Sequence, residues 1–353
     1  MLVKLKDVCT FESNNFNKKD NWTFVNYLDT SNLTENVIQD FQYLEDLDNL
    51  PSRAKRKVKI GDILFSSVRP NQKHYGFIDK EYPNLLVSTG FIVLTPTEKV
   101  NNKFLYYWLI QDKTIDILQT KAETSTSAYP SITKEDMYDL EIDLPPLEIQ
   151  DKIANILSNI DNQIERNNAM TKRLQVLGNT IYSKEINKDT KYFNLKTVAN
   201  ISTGKEDANF ASPNGKYNFY TCSEEISKCD EFAFDGNSIL IAGNGNFNVK
   251  YYNGKFNAYQ RTYVIQNNTL FGNIYYSSLR SVDGFTKNAN GSIIKFITLG
   301  LVQDIQIPIL SDKTNILLND IVSQKNKIIL ETEKLNQLKN KLLPLLINSQ
   351  LEV

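Results

Sequence analysis

Histidine is almost missing. The 353 residues contain one, His74, so any mechanism built on imidazole or on a His-based metal site would have to run through a single side chain. In a polar, basic loop that residue is expected to be a surface or hydrogen-bonding group, not a catalyst. Three cysteines, Cys9, Cys222 and Cys229, cannot build a framework of bridges and lack partners for zinc; they are expected to be buried thiols in a reducing, cytoplasmic setting. An excess of one charge is also lacking: 40 Lys and Arg against 41 Asp and Glu give a net charge of -1, so no global field advertises a polyanion, although local basic patches remain open. No apolar run approaches the length of a membrane span, so no membrane partner is expected. Met1–Thr10 alternates charged with apolar residues and lacks the apolar core of a secretory signal.

Chemical motifs are missing as well. No Gly-x-x-x-x-Gly-Lys-[Ser/Thr] loop occurs, and Gly243-Asn244-Gly245 lacks the third glycine of a dinucleotide fingerprint. The one Pro-Pro, Pro145-Pro146, lies between Leu144 and Leu147, not in the polar-Pro-Pro-aromatic loop of an amino-methylating enzyme. Glu-x-Lys, a common end of nuclease metal sites, is absent. The expectation is a chain with no catalytic residue and no bound metal.

What is present is written twice. The segment ITKEDMYDLEIDL at 132–144 aligns with ITLGLVQDIQIPI at 297–309, matching Ile132 to Ile297, Thr133 to Thr298, Asp139 to Asp304 and Ile142 to Ile307. Earlier in each half, KLKDV at 4–8 answers NLKTV at 194–198, and GDILFSS at 61–67 answers GNSILIA at 236–242. Such self-similarity predicts two domains on one frame. After each repeated strand comes a segment whose apolar residues recur at spacings of three and four, the mark of a coiled-coil seam. In the first copy these are Ile153, Leu157, Ile160, Ile164, Leu174 and Ile181; in the second, Leu317, Ile321, Ile328, Leu335, Leu338, Leu342 and Leu345. Pro145 and Pro146 suit the start of the first helix, and Pro344 is expected to kink or fray the last turn of the second.

The predicted organisation is α+β: a domain over 1–144, a helix over 145–184, a second domain over 185–309 and a second helix over 310–353. From Ile153 to Ile181 a helix is about 42 Å long. The polar joint Ser183–Lys191 reaches at most about 29 Å, which favours a second domain at the far end of helix one. The result is an antiparallel two-helix coiled coil separating two domains with twisted sheets, an internal pseudo-two-fold that imitates a dimer.

Two-fold proteins that hold reading heads about one duplex turn or more apart, a turn being about 34–36 Å, suit two half-sites on DNA. Candidate readers in the first domain are Ser67, Arg69, Asn71, Lys73 and His74, with the basic run Arg53, Lys55, Arg56 and Lys57 beside them. In the second they are Asn244, Asn246, Asn248, Lys250, Gln260 and Arg261. Arg pairs well with guanine, Asn with adenine, and Lys with phosphate. The hydroxyl-rich loop Thr124–Tyr129 either grips phosphates or simply turns. The competing reading is a coiled-coil scaffold whose end domains bind other proteins.

The residues also resemble a known family. The junction LEIDLPPLEIQDKIANILSNIDNQI at 140–164 is similar to the strand, Pro-Pro, Gln and long-helix signature of type I restriction-modification specificity subunits; GDILFSSVRPN and AYQRTYVI are similar to segments of their target-recognition domains. The second copy departs from the pattern, with Ile309-Leu310-Ser311-Asp312 where Pro-Pro would stand. The resemblance implies a non-catalytic DNA-binding subunit of a prokaryotic restriction system, each domain reading half of a split, asymmetric site on double-stranded DNA. It further implies docking of two methyltransferase subunits carrying S-adenosylmethionine, and of motor-nuclease restriction subunits. This chain itself would bind no cofactor.

Overall fold

Gly61 and Gly236 open the same strand in each half, and both sit at positive φ, +91° and +100°, where a side chain would be strained. The strands that follow, Ile63–Ser66 and Asn237–Ala242, are buried along their length apart from half-exposed Asn237 and run through the middle of equivalent sheets. In the computed structural model, which describes residues 1–12, 14–124, 129–245, 247–287 and 296–351, two units are distinguished. One comprises residues 1–162 and 335–353, the other residues 163–334, so each long helix contributes to both.

In the first unit, Ile63–Ser66 lies between Phe91–Pro96 and Tyr75–Phe77, with Cys9–Thr10 at the edge. In the second, Asn237–Ala242 lies between Thr262–Gln266 and Val249–Asn253, with Asn200–Thr203 outside. Each domain has another sheet around a parallel pair, Val25–Leu28 with Leu85–Ser88 and Tyr217–Tyr220 with Phe256–Ala258. The first domain adds an edge strand to that sheet, Ala54–Lys57, on the side where the second has none among the described residues.

The repeated segment is repeated in space. Thr133 and Thr298 each accept a hydrogen bond from a first-turn backbone N–H of a short helix, Lys134–Tyr138 and Leu299–Gln303, satisfying an orphan donor. Ile142 and Ile307 are buried opposite Val3 and Phe193 in two antiparallel ladders. Asp139 pairs with Lys4 at 2.8 Å and Asp304 with Lys196 at 3.3 Å, although Lys196 aligns with Lys6. The ion pair is kept while its lysine has moved two residues along the chain.

The long helices are Leu147–Glu185 and Asp312–Ile347. At the start of the first, the Gln150 side chain donates to the Pro145 carbonyl at 2.8 Å; in the second, Asn315 donates to the Leu310 carbonyl at 3.3 Å. Ser311 accepts from the Thr314 N–H, so a serine cap replaces the missing Pro-Pro. Within the second unit Glu185 meets Thr314, and Gln175 meets Lys325, so the paired segments run antiparallel. Pro344 does not fray the end: the helix continues to Ile347 because Leu346 and Ile347 are buried in the first-domain core.

The apolar seam is shared with the domains. Ile153 and Leu157 are buried in the first core, Ile321 in the second, and Leu174 and Ile181 pack against the second. Ile160, Ile164, Ile328, Leu335, Leu342 and Leu345 are half-buried. Leu317 and Leu338 depart from the expected seam, at 42% and 45% exposed. Around Leu317 the buried stripe passes instead through Leu318, Ile321 and Val322, because the helix Phe271–Lys287 covers this face. Its Gly272 approaches the Leu318–Asn319 backbone so closely that a Cβ would fall 2.4 Å from it. Gly178, between the seam residues Leu174 and Ile181, has a similar cause: Tyr276 fills the space, and a Cβ at Gly178 would lie 1.8 Å from its hydroxyl.

Candidate nucleic-acid interface

Between Leu85–Ser88 and Phe91–Pro96 the first-domain chain turns at Thr89 and Gly90, and this turn gathers the loops around it. The Thr89 N–H donates to the Arg53 carbonyl at 2.9 Å, and the Gly90 carbonyl accepts from both the N–H and the hydroxyl of Ser67, each at 2.9 Å. Ser67 in turn accepts from the Ile132 N–H at 2.8 Å, and the Arg69 N–H donates to the Pro130 carbonyl at 2.9 Å. Arg53, Ser67 and Arg69 are thereby brought to one place. Arg53 and Arg69 are exposed, and the Arg69 guanidinium lies 5.5 Å from the ring centroid of Tyr129, a cation–π contact. Arg69 and Lys73, at φ +48° and +56°, flank the single turn Pro70–Gln72; the Asn71 N–H fixes it to Gln119 at 3.2 Å.

Several predicted readers instead serve the fold. Lys73 bridges Asp112 and Glu35 at 3.3 and 3.5 Å, and His74 Nδ1 lies 2.8 Å from the Leu33 carbonyl and 3.1 Å from the Thr34 hydroxyl. On the edge strand the side chains divide. Arg56 donates to the Phe91 carbonyl, and burial lowers its pKa. Lys57 pairs with Asp20 at 2.7 Å, a hydrogen bond that holds the Asp20 carboxyl below its ordinary range. Lys55 remains exposed.

The second domain repeats the arrangement around Tyr259–Arg261. The Gly243 N–H donates to the Arg261 carbonyl, and the Ile297 N–H to the Gly243 carbonyl, both at 2.8 Å. The Gln260 N–H donates to the Glu206 carbonyl at 2.9 Å. A Cβ at Gly243 would lie 2.5 Å from the Arg261 carbonyl, so this close crossing requires glycine. Gln260 and Arg261 are exposed, and half-buried Asn244 bridges to Phe296. Asn248 and Lys250 turn inward: the Asn248 amide donates to the Cys222 carbonyl at 3.0 Å, while Lys250 donates to Asn248 and to the Ser223 carbonyl, and burial lowers its pKa. Asn246, and residues 125–128 of the hydroxyl-rich loop, lie outside the described residues.

Two groups escaped the sequence reading. Phe296, 57% exposed, stands directly before the repeated segment of the second half, whereas Tyr129, 62% exposed, closes the hydroxyl-rich loop three residues before that of the first. Lys205 is exposed beside Gly204, whose N–H donates to the Thr262 carbonyl. Cys222 is half-buried rather than buried, whereas burial pushes the Cys9 thiol up to about 12. Arginine forks, a lysine and exposed rings around a backbone hub are suited to base edges, phosphates and stacking. Among the described residues no helix is long and apolar enough to cross a membrane, and no group of three His, Cys, Asp or Glu side chains is placed to hold a metal.

Comparison with known proteins bears on this arrangement. Residues 1–176 and 187–340 match the family model of the type I restriction modification DNA specificity domain. The chain is similar to the type I restriction enzyme EcoDI specificity subunit of Escherichia coli, 36% identical over 172 residues, or 46% of this chain and 39% of that one. It is also similar to the HindI specificity subunit of Haemophilus influenzae, 32% identical over 168 residues, 47% of this chain and 36% of the relative. The matched stretches thus span less than half of these relatives. In fold it resembles the crystal structure of the type I restriction-modification S subunit from M. genitalium, with a TM-score of 0.65 at 16% identity, covering 98% of this chain and 95% of that one. With both halves matched by one domain model, the chain belongs to the type I restriction modification DNA specificity family.

Proposed function

We propose that this chain is a non-catalytic specificity subunit that reads a bipartite, asymmetric double-stranded DNA site, one half per domain. The observation that carries the reading is the duplicated turn. Each domain ties the loop after its central strand to the carbonyl of a turn and leaves an arginine exposed there, Arg69 on the loop of the first and Arg261 on the turn of the second, with an exposed ring in the segment bound to that loop. The neighbours differ. Arg53 and Ser67 attend Arg69, whereas Gln260 and Asn244 attend Arg261, so the two half-sites should differ in sequence. Lys55, Arg53 and Lys205 are the candidate phosphate contacts. Arg56, Lys57, Lys73, His74, Asn248 and Lys250 would act by holding these loops, not by touching bases.

In this reading two methyltransferase subunits, carrying S-adenosylmethionine, and motor-nuclease subunits dock on the chain and supply all the chemistry. The near-zero net charge suits a subunit that binds DNA weakly alone and shares phosphate contacts with its partners. The test is to map methylated adenines in cells with and without the gene, with methyltransferase subunits present. The expected result is one split motif lost on deletion, with Arg69→Ala relaxing one half and Arg261→Ala the other. Unchanged methylation on deletion would overturn the proposal.

A further inference from the structure

The internal repeat places unlike groups at matching points of the two long helices. At the helix offset of 164 that relates Ile153 to Leu317, Asp161 corresponds to Lys325, and Gln175 to Lys339. In the first unit the pair is complete: Lys339 meets Asp161 at 2.6 Å, and Asp161 also accepts from the Tyr107 hydroxyl at 2.7 Å. In the second unit Lys325 stands at the acid's position and Gln175 at the lysine's, so this pair holds no carboxylate. Lys325 donates to the Gln175 side chain and to the Tyr275 hydroxyl at 2.7 Å, and among the described residues it forms no ion pair. An ammonium taken largely out of water beside neutral acceptors is uncompensated, and burial lowers its pKa to about 8.

Beside this lysine is a cavity of about 370 Å³, lying entirely within the second unit. Its volume falls in the range of small-molecule sites. Tyr220, Tyr251, Val322, Ile329 and Leu330 supply aromatic and apolar walls, and Lys250 adds a second amine, hydrogen-bonded to Asn248 and the Ser223 carbonyl and attracted by Glu224. Carboxylates line it too. Glu224 and Glu225 are exposed, and Glu333 stands eight residues further along the same helix as Lys325, an axial rise of about 12 Å. Burial raises the Glu333 pKa, an effect that Lys228 opposes.

We infer that this cavity is a binding site for a small organic anion, a carboxylate or phosphate monoester on an aromatic or apolar body, with its anionic group held by Lys325. The ligand supplies the negative charge that Asp161 supplies in the other half. Its body replaces water against the tyrosine and aliphatic walls.

Calorimetric titration of the full chain with benzoate and phenyl phosphate, against phenol as the uncharged control, tests this. One site per chain is expected, with phenol at least about tenfold weaker, the loss that goes with one charge-assisted hydrogen bond. Lys325→Gln should weaken the anions by a similar factor. Gln175→Glu should do the same while raising the melting temperature, because it restores the missing carboxylate; this separates a filled charge site from an unfolded variant. Absence of binding by both anions, equal binding of phenol, or binding indifferent to both substitutions would overturn the inference.

Discussion

The two domains share a frame and spend it differently. Both place a positive-φ glycine ahead of the central strand, both cap a short helix with the repeated threonine, and both pin the loop after that strand to the carbonyl of a turn. They differ at the sheet edge, where among the described residues only the first adds the basic strand Ala54–Lys57, and at the helices, where Asp161–Lys339 of one half corresponds to Lys325 and Gln175 of the other. Backbone hydrogen bonds and buried apolar positions tolerate little change, so they hold the frame. Exposed side chains and polar helix contacts are where the halves have diverged.

The largest expected difference lies at the helix pair. Lys339→Met leaves Asp161 partly buried without its cation and should cost about 2–3 kcal/mol in denaturant unfolding. Gln175→Met, at the matching position, should cost less, about 1.5 kcal/mol, because Lys325 keeps the Tyr275 hydroxyl and no carboxylate is stranded. Equal costs would erase the contrast. Gly178→Ala drives a methyl into Tyr276 and should destabilise by about 1–3 kcal/mol despite alanine's better helix propensity. Tyr276→Phe, which removes a buried hydroxyl with no hydrogen-bond partner among the described residues, should be neutral or stabilising in the same assay.

Next come the readers. Arg69→Ala should lose about 1–3 kcal/mol of discrimination at one half-site and none at the other, and Arg261→Ala the reverse. Competition between duplexes substituted in one half at a time measures this; a loss spread over both halves would deny the division of labour. The pH dependence of stability is a finer probe. Lys325 titrates near 8 when folded and near 10.5 when unfolded, so between these values the unfolded chain holds more protons and stability rises with pH. The slope is at most about 1.4 kcal/mol per pH unit, and Lys325→Gln should flatten it. The smallest effect belongs to Lys55→Ala, which should weaken binding to every duplex alike, by less than about 1 kcal/mol, and lower the salt dependence by about one phosphate contact.

Much of the frame was legible in the residues. The repeat at 132–144 and 297–309 gave the element order, because matching caps and apolar alternation leave few alternatives. The seam was less so. Periodicity places Leu317 on the apolar stripe, but Gly272 lets another helix lie against Leu318, and the buried face turns with it. The readers were least legible. Arg69 and Lys73 lie four residues apart in one polar loop, yet one is exposed over Tyr129 and the other bridges two carboxylates. No local pattern distinguishes them, since Asp112 and Glu35 come from distant parts of the chain.

By itself, then, the sequence determined the duplication, the two long helices, the strands that follow Gly61 and Gly236, and the absence of familiar catalytic motifs. These depend on local propensity and spacing, which neighbouring residues decide. Tertiary structure alone decided which side chains stay outward, why Gly178 must be small, and where Lys325 lacks its acid. Those outcomes depend on what distant segments place beside each group, and hydrogen bonding, exclusion and charge all act through that proximity.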